Sequence, residues 1–303
     1  MKTESLTPQQ FRNAFRTEEQ CRAYVFARKY PEGFACRHCG HDQYHEVQHR
    51  GGSWQCRKCG YQESATAWTI FHKTKVPLVK WFQAIGEITI AKGGISAVEL
   101  QHRLGLGTYR AAWSLLHKLR CAMGLRDEAY QLKDEVELDG AVFGHRSTDT
   151  ETKVYIAVES KDTGDASRPR VGFAKATVVE SFVQEAVREF GVRTLEPLTE
   201  VKTDGGPEVD GLESDTDLVL NAKTMNGDRV KLDKHLPWVH TLISNIKSAL
   251  VGTYHGVSRK YLQLYLDEYI YRFNRRWCRF ELQTRLVTAC LAVGPAWLTY
   301  QKA

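Results

Sequence analysis

The sequence contains no long hydrophobic run, and no apolar stretch reaches the roughly 18–20 residues that a membrane-spanning helix needs. Its first residues, MKTESLTPQQFRNAF, are polar and contain no hydrophobic signal core. We therefore expect a cytoplasmic protein that does not bind a membrane. With 42% hydrophobic and 26% charged residues, the composition excludes a wholly disordered chain, a collagen-like repeat and a disulfide miniprotein. The length of 303 residues suits two or three domains.

Charge is unevenly distributed along the chain. Residues 1–126 have 19 Lys and Arg against 9 Asp and Glu, residues 127–240 have 14 against 24, and residues 241–303 have 9 against 3. An acidic middle between two basic ends predicts a nucleic-acid-binding N-terminal part, an acidic functional core and a basic C-terminal part. Chance variation of surface charge is the alternative, because net charge alone is a weak guide.

Four of the eight cysteines form two C-x2-C pairs with 16 residues between them. The turn in each pair brings two sulfur atoms to one side, so that two pairs complete a tetrahedron around one metal ion. The spacing predicts a zinc ribbon with the ligands Cys36, Cys39, Cys56 and Cys59. Two disulfides are the alternative, which a cytoplasmic location disfavours. Four thiolates close the site, so we expect the zinc to be structural.

Residues 93–123 predict a helix-turn-helix. A capping box opens the first helix at Ser96, a Gly-Leu-Gly interruption follows, and Thr108 can cap the second helix. We expect Thr108, Tyr109 and Arg110, at the start of this second helix, to contact DNA bases. The alternative is a plain helical hairpin whose basic side chains face water.

From about residue 130 the pattern becomes that of an α/β domain. The sequence predicts strands at 136–143, 154–158, 171–177 and 198–203, and helices at 8–30, 77–91, 178–190, 240–250 and 258–277. Three strands, a helix, a further strand and more helices indicate a mixed sheet.

Two aspartates, Asp139 in VELDG and Asp204 in VKTDG, end short apolar segments. Strand-end carboxylates can converge on one edge of a sheet, where they bind hard cations such as Mg²⁺. A metal pair there would activate an attacking oxygen and stabilise the leaving one. Each Asp-Gly is also a common turn, so two ordinary turns are the alternative.

Over nearly its whole length, the chain resembles a family of bacterial insertion-sequence transposases that have a zinc ribbon, the family numbered fifteen-ninety-five. The matching stretches are FACRHCG, WQCRKCGYQESATAWTIFHKTKVPL, KGGISAVELQHRLGL, VELDG, VKTDGG and LPWVHTLISNIKSALVGTYHGVSRKYLQLYLDEYIYRFNRR. The resemblance implies an RNase H-like catalytic domain of the DDE class, which cuts transposon ends and joins them to target DNA. Structural Zn²⁺, catalytic Mg²⁺, terminal inverted repeats, target DNA and a homo-oligomer assembled on DNA are implied with it.

The resemblance also suggests a domain organisation. The expected parts are a helical leader at 1–30, a zinc ribbon at 31–72, a helix-turn-helix region at 73–128 and the RNase H-like domain at 129–303.

The resemblance identifies Asp139 and Asp204 as the first two catalytic acids, whereas the third acid of the pattern is missing. Lys247 matches the lysine of the family by its distance from GTYHGVS, and we expect it to contact the phosphate backbone. Two candidates remain for the third ligand. His240 lies seven residues before Lys247, on the same helix face. Asn245 matches the ISN-x-K motif of those family members that have Asn in place of the third acid. Helix geometry, however, turns Asn245 about 160° away from Lys247.

Two further predictions concern residues outside that pattern. Glu137 lies on the same side of its strand as Asp139 and could supply the missing negative charge; an exposed strand residue is the alternative. Arg272, Arg275 and Arg276 end the closing helix, where they could bind DNA or be ordinary surface charge.

The leading functional prediction is a metal-dependent DNA transposase. A catalytically impaired or domesticated DNA-binding protein is the first alternative, because the third acid is missing. A metal-dependent nuclease that cuts without joining is the second. Strand transfer with Mg²⁺ or Mn²⁺ would discriminate among the three.

Overall fold

The chain divides into two units, residues 1–126 with 278–303 and residues 127–277. The computed structural model describes residues 4–47, 52–144, 151–161, 170–212, 217–222 and 235–294. The family resemblance suggested one domain for residues 129–303. In the structure, a C-terminal helix instead packs within the first unit, where its fully buried Leu286 and Cys290 complete a core.

The first unit is mainly helical. It contains α1 (Pro8–Ala14), α2 (Glu18–Lys29), α3 (Leu78–Ile90), α4 (Ala97–Leu104), nearly all of α5 (Tyr109–Asp127) and the C-terminal helix α9 (Leu282–Ala292), with an antiparallel sheet of β1 (Tyr44–Glu46), β2 (Ser53–Cys56) and β3 (Gln62–Ser64). The single helix predicted at 8–30 is wrong, because Thr17 caps a new helix by accepting a hydrogen bond from the backbone of Gln20. Among the described residues, no helix is long and apolar enough to cross a membrane.

The predicted helix-turn-helix is formed by α4 and α5. The Ser96 hydroxyl caps α4 by accepting a hydrogen bond from the Glu99 backbone N–H at 3.1 Å. Gly105 ends this helix with φ of 58°, a left-handed conformation that glycine adopts without strain. The Thr108 hydroxyl then accepts from the Ala111 N–H at 3.2 Å, at the start of α5. Both predicted helices and the turn between them are therefore present.

The second unit contains a five-stranded mixed sheet in the order β6-β5-β4-β7-β8. Its strands are β4 (Glu135–Phe143), β5 (Thr152–Lys161), β6 (Arg170–Val179), β7 (Glu200–Thr203) and β8 (Val219–Ala222). The first three pair antiparallel, whereas β4, β7 and β8 are parallel. This confirms the mixed α/β sheet expected for an RNase H-like domain. Strand β8 lies in a stretch for which the sequence predicted neither a strand nor a helix.

Helices and a short 3₁₀ turn accompany the sheet of the second unit. These are α6 (Gln184–Thr194), the 3₁₀ turn at Pro207–Leu212, α7 (Pro237–Tyr254) and α8 (Arg259–Asn274). On one face, Ala141 and Phe143 of β4 pack in a core with α7 and α8. On the other face, Val136 and Leu138 pack in a core with α6 and the 3₁₀ turn. Because side chains alternate along a strand, the odd-numbered residues of β4 point towards α7.

Candidate catalytic and metal-binding sites

The four cysteines of the predicted zinc ribbon lie together. All four sulfur atoms are within 4.8 Å of one another. Each pair occupies a tight turn, in which the Gly40 N–H bonds the Cys36 carbonyl and the Gly60 N–H bonds the Cys56 carbonyl. Both glycines have φ close to 70°, a value that L-residues with side chains rarely adopt.

Within this cluster, backbone N–H groups favour the thiolate form of Cys56, whereas the pKa of Cys59 is raised to about 12. Burial opposes ionisation of Cys56, but the backbone N–H groups of Cys59 and Lys58 lower the pKa of its thiol to about 6. Thiolate is the form that binds metal, and four sulfur ligands in a tetrahedral cluster are typical of structural zinc. The donor set therefore fits a Zn²⁺ ion.

The register between β4 and β7 positions the two candidate aspartates. The two strands pair in parallel at Glu135–Glu200, Val136–Val201 and Glu137–Lys202. Asp139 and Asp204 each lie two residues beyond the last pair of this register, at the same end of the paired segments. Asp139 is not at the end of its strand, as the sequence suggested, because β4 continues to Phe143. It is β7 that ends, at Thr203, and Asp204 follows directly.

Helix α7 brings His240 to this position. Its Nε2 lies 3.3 Å from Oδ2 of Asp139, and the two side chains are only 22% and 19% exposed. Asn245 is exposed on the same helix, about 140° around the axis from His240. Val239, Leu242 and other buried residues of α7 face the sheet core and thereby fix this rotation.

Glu137 holds the first turn of α7. Its Oε2 accepts hydrogen bonds from the backbone N–H groups of Trp238 at 2.8 Å and Val239 at 2.9 Å. The residue is 2% exposed, so the interpretation as an exposed strand residue is wrong. Burial raises the pKa of its carboxyl to about 7, although the two N–H groups act in the opposite direction. The sequence signal for this contact was an acid in an apolar strand together with Pro237, a typical first residue of a helix.

Two more side chains contact the strands β4 and β7. The His235 ring nitrogen Nε2 is 3.0 Å from the carbonyl of Thr203, the residue that precedes Asp204. Lys247 is exposed, and its Nζ lies 5.4 Å from the ring centroid of Phe143. Phe143 is on the same face of β4 as Asp139, so Lys247 extends along the face that carries the aspartate. Sequence reasoning missed His235.

The predicted DNA-reading residues lie at the N-terminal end of α5. Thr108 caps the helix, while Tyr109 is 51% exposed and Arg110 is exposed. All three are thus placed together, with the tyrosine and the arginine accessible to a partner.

The three arginines at the end of α8 make contacts within the second unit. Arg272 pairs with Glu268 at 3.3 Å. Arg275 pairs with both oxygens of Asp127, at 2.6 and 3.1 Å. Arg276 donates to backbone carbonyls, among them those of β6. These contacts favour a structural role for the three arginines over the predicted DNA contact.

Two family models match the chain. The ISXO2-like transposase domain of the IS1595 type matches residues 131–274, and the transposase zinc-ribbon domain of the same type matches residues 16–62. The first match contains Asp139, Asp204 and His240, and the second contains all four clustered cysteines. Neither a search of curated proteins nor a search of solved structures found a match.

Proposed function

Because this chain belongs to the IS1595 family of zinc-ribbon transposases, we propose that it cuts the ends of an insertion sequence and joins their 3′-OH groups to target DNA. One observation carries the proposal: His240 Nε2 lies 3.3 Å from the Asp139 carboxylate. Asp204 directly follows β7, the strand that pairs with β4. His240 and Asp139 come from elements that are distant in sequence, and we infer that Asp204 completes a metal site with them.

We assign the catalytic metal to Asp139, Asp204 and His240. The two carboxylates suit Mg²⁺ or Mn²⁺, and the imidazole suits the softer Mn²⁺ better than Mg²⁺. The bound cation would stabilise the charge on the attacking and leaving oxygens of the phosphodiester. His240 replaces the third acid of the DDE pattern, so the ligand set has two negative charges rather than three.

The surrounding residues hold these ligands in position. Glu137 fixes the first turn of α7 through Trp238 and Val239, which sets the distance from His240 to β4. Lys247, exposed on α7, supplies a cation for a phosphate of the DNA backbone.

The first unit supplies DNA binding in this proposal. The four thiolates hold a structural zinc, and Thr108, Tyr109 and Arg110 contact the terminal inverted repeats. Such a protein acts on DNA in the cytoplasm and assembles as a homo-oligomer when it brings two ends together.

A strand-transfer assay tests the proposal. The substrates are labelled duplexes taken from the two flanks of the gene, a plasmid target and Mg²⁺ or Mn²⁺. We expect joined products with the wild type, none with Asp139→Asn or Asp204→Asn, and DNA binding retained in both variants. His240→Ala should also abolish joining, while the matched variant Asn245→Ala, on the same helix, should be close to wild type.

The other outcomes identify the alternatives. DNA binding without any cleavage by the wild type would contradict the transposase and favour a DNA-binding protein. Cleavage without joined products would indicate a nuclease. Activity that survives His240→Ala but not Asn245→Ala would overturn the ligand assignment and leave the two aspartates in place.

A further inference from the structure

Trp68, on the segment after the zinc ribbon, combines an unusual backbone conformation with high exposure. Its φ is 61°, in the left-handed region, where a bulky side chain is an outlier. The residue is nevertheless 45% exposed, so burial of the ring does not explain the conformation. Strained residues of this kind persist only where their surroundings fix them, and they cluster at ligand sites.

The loop that carries Trp68 is firmly held. Lys29 Nζ donates to the Ala67 carbonyl at 3.0 Å and pairs with Glu63 at 2.7 Å. On the other side of Trp68, the Ile70 N–H donates to the Cys290 carbonyl at 3.0 Å, and the Ile70 side chain is fully buried. The indole ring is therefore presented by a fixed backbone.

One cation and one aromatic ring lie beside the exposed indole ring of Trp68. The guanidinium carbon of Arg37 lies 5.4 Å from the ring centroid, and Arg37 itself is 55% exposed. The His72 ring is nearly parallel to the indole, at 6.3 Å and 21°. Exposed Lys73 and Lys75 follow. An aromatic ring beside cations is the combination that binds single nucleic-acid strands.

A groove of about 560 Å³ lies in the same unit and is lined by the same loop. Its polar lining includes Arg22, Lys75, Ser64, Thr66 and Thr74. Glu18 also lines it; its carboxylate accepts from the backbone N–H groups of Leu78 at 3.0 Å and Val79 at 3.1 Å and lies 3.7 Å from Arg22 Nη2. Two cations and three hydroxyls suit phosphate groups, and Thr66 is only two residues from Trp68.

We propose that this surface, defined by the groove and Trp68, binds one DNA strand with its phosphates in the groove and an unpaired base stacked on Trp68. The base must be unpaired because neighbouring base pairs cover both base faces inside an intact duplex. The proposal rests on the proposed function, since cutting and joining DNA produces strand ends with such bases. A flat aromatic ring tolerates any base sequence.

Binding of two fluorescent duplexes to the full-length, zinc-loaded protein tests this inference at low salt, without added Mg²⁺. One duplex is blunt, and the other has the same sequence with a four-nucleotide single-stranded extension. We expect the wild type to bind the extended duplex more tightly than the blunt one. In Trp68→Gly, the ratio of the two affinities should be about tenfold smaller. Trp68→Phe, which keeps an aromatic ring, should retain part of it.

Thermal melting separates this role from a structural one. Glycine adopts φ of 61° without strain, so Trp68→Gly should melt no lower than the wild type. If that variant is unstable, Trp68→Asn serves instead, because asparagine also tolerates the left-handed region.

The groove is tested by Lys75→Gln. This variant should bind both duplexes more weakly and lower the slope of log K against log salt by about one. Arg12→Gln removes one exposed charge elsewhere in the same unit and should leave that slope unchanged.

Three results would overturn the inference. The wild type could lack a preference for the extension, Trp68→Gly could keep that preference, or Trp68→Gly could weaken binding of both duplexes equally. None of these readouts depends on cleavage. A protein that binds as expected but never cuts would contradict the proposed function and still support the strand-binding surface.

Discussion

The buried carboxylate of Glu137 accepts a hydrogen bond from the backbone N–H of Val239 at 2.9 Å. The contact joins strand β4 to the first turn of helix α7, two residues from Asp139 on the strand and one residue from His240 on the helix. Because a carboxylate satisfies the otherwise free N–H groups of a helix N-terminus, it fixes the helix end from which His240 extends.

Glu137 predicts a specific pH dependence of stability. Burial raises the pKa of its carboxyl to about 7, above the value in the unfolded chain. The folded state therefore binds more protons between about pH 4.5 and pH 7, and stability falls as the pH rises through this range, by up to about 3 kcal/mol. Calorimetric melting of Glu137→Gln should lack this fall.

Glu135→Gln is the matched control for that measurement. Glu135 lies on the same strand and pairs with Lys202 at 2.5 Å at a partly exposed position. This variant should keep most of the fall in stability, because the charge of Glu135 contributes least to the raised pKa of Glu137. An unchanged profile in Glu137→Gln would contradict the assignment of the pH dependence to Glu137.

The imidazole at position 240 predicts an altered metal preference. Imidazole is a softer ligand than carboxylate, and Mg²⁺ prefers oxygen donors. We expect faster strand transfer with Mn²⁺ than with Mg²⁺ in the wild type. His240→Glu should raise the rate with Mg²⁺ relative to Mn²⁺, since it restores a third negative charge.

Asn245→Glu adds the same charge to the same helix at an exposed position and should leave the ratio of the two rates unchanged. If both variants changed the ratio equally, the effect would come from the charge of the helix rather than from a ligand.

The side-chain amide of Asn274 hydrogen-bonds backbone groups on the outer edge of strand β6. Asn274 accepts from the Ala174 N–H at 2.8 Å and donates to the Ala174 carbonyl at 3.0 Å, and it is 3% exposed. Asn274→Ala would leave two buried backbone groups without partners, so we expect it to lower the free energy of unfolding of the second unit by about 2–4 kcal/mol. Urea titration measures this.

Gln263 makes a similar pair of contacts on the same edge, with Val178 and Ala176, but it is only partly buried. Because water can replace its amide, Gln263→Ala should cost less, about 1 kcal/mol. If both variants lost the same free energy of unfolding, burial of the amide would not determine the loss.

Zinc is expected at one ion per chain. Cys39→Ser removes a ligand and should lower the zinc content measured by mass spectrometry and weaken DNA binding, because metal binding contributes to folding of such ribbons. Cys278→Ser, at a partly buried cysteine outside the cluster, should retain full zinc. Purified wild-type protein without zinc would refute the assignment.

Local patterns were sufficient for part of this protein. The spacing of two C-x2-C pairs predicted the sulfur cluster, because each pair closes within one turn. Alternation and turn residues predicted the strands β4, β5, β6 and β7, and the helix-turn-helix followed from its caps. Strand β8 was missed because its four residues are exposed or half-buried and lack the alternation of buried and less buried residues that β7 has.

The sequence by itself determined the zinc ligands, the mixed sheet and the candidates Asp139 and Asp204. Only the tertiary structure decided which residue of α7 reaches Asp139, because packing against the sheet sets the rotation of that helix. The same holds for Glu137 and Arg275: the burial of the first and the partner of the second, Asp127, depend on contacts between residues about a hundred or more positions apart. Interactions over such separations arise from packing of the folded chain, which local residue patterns do not encode.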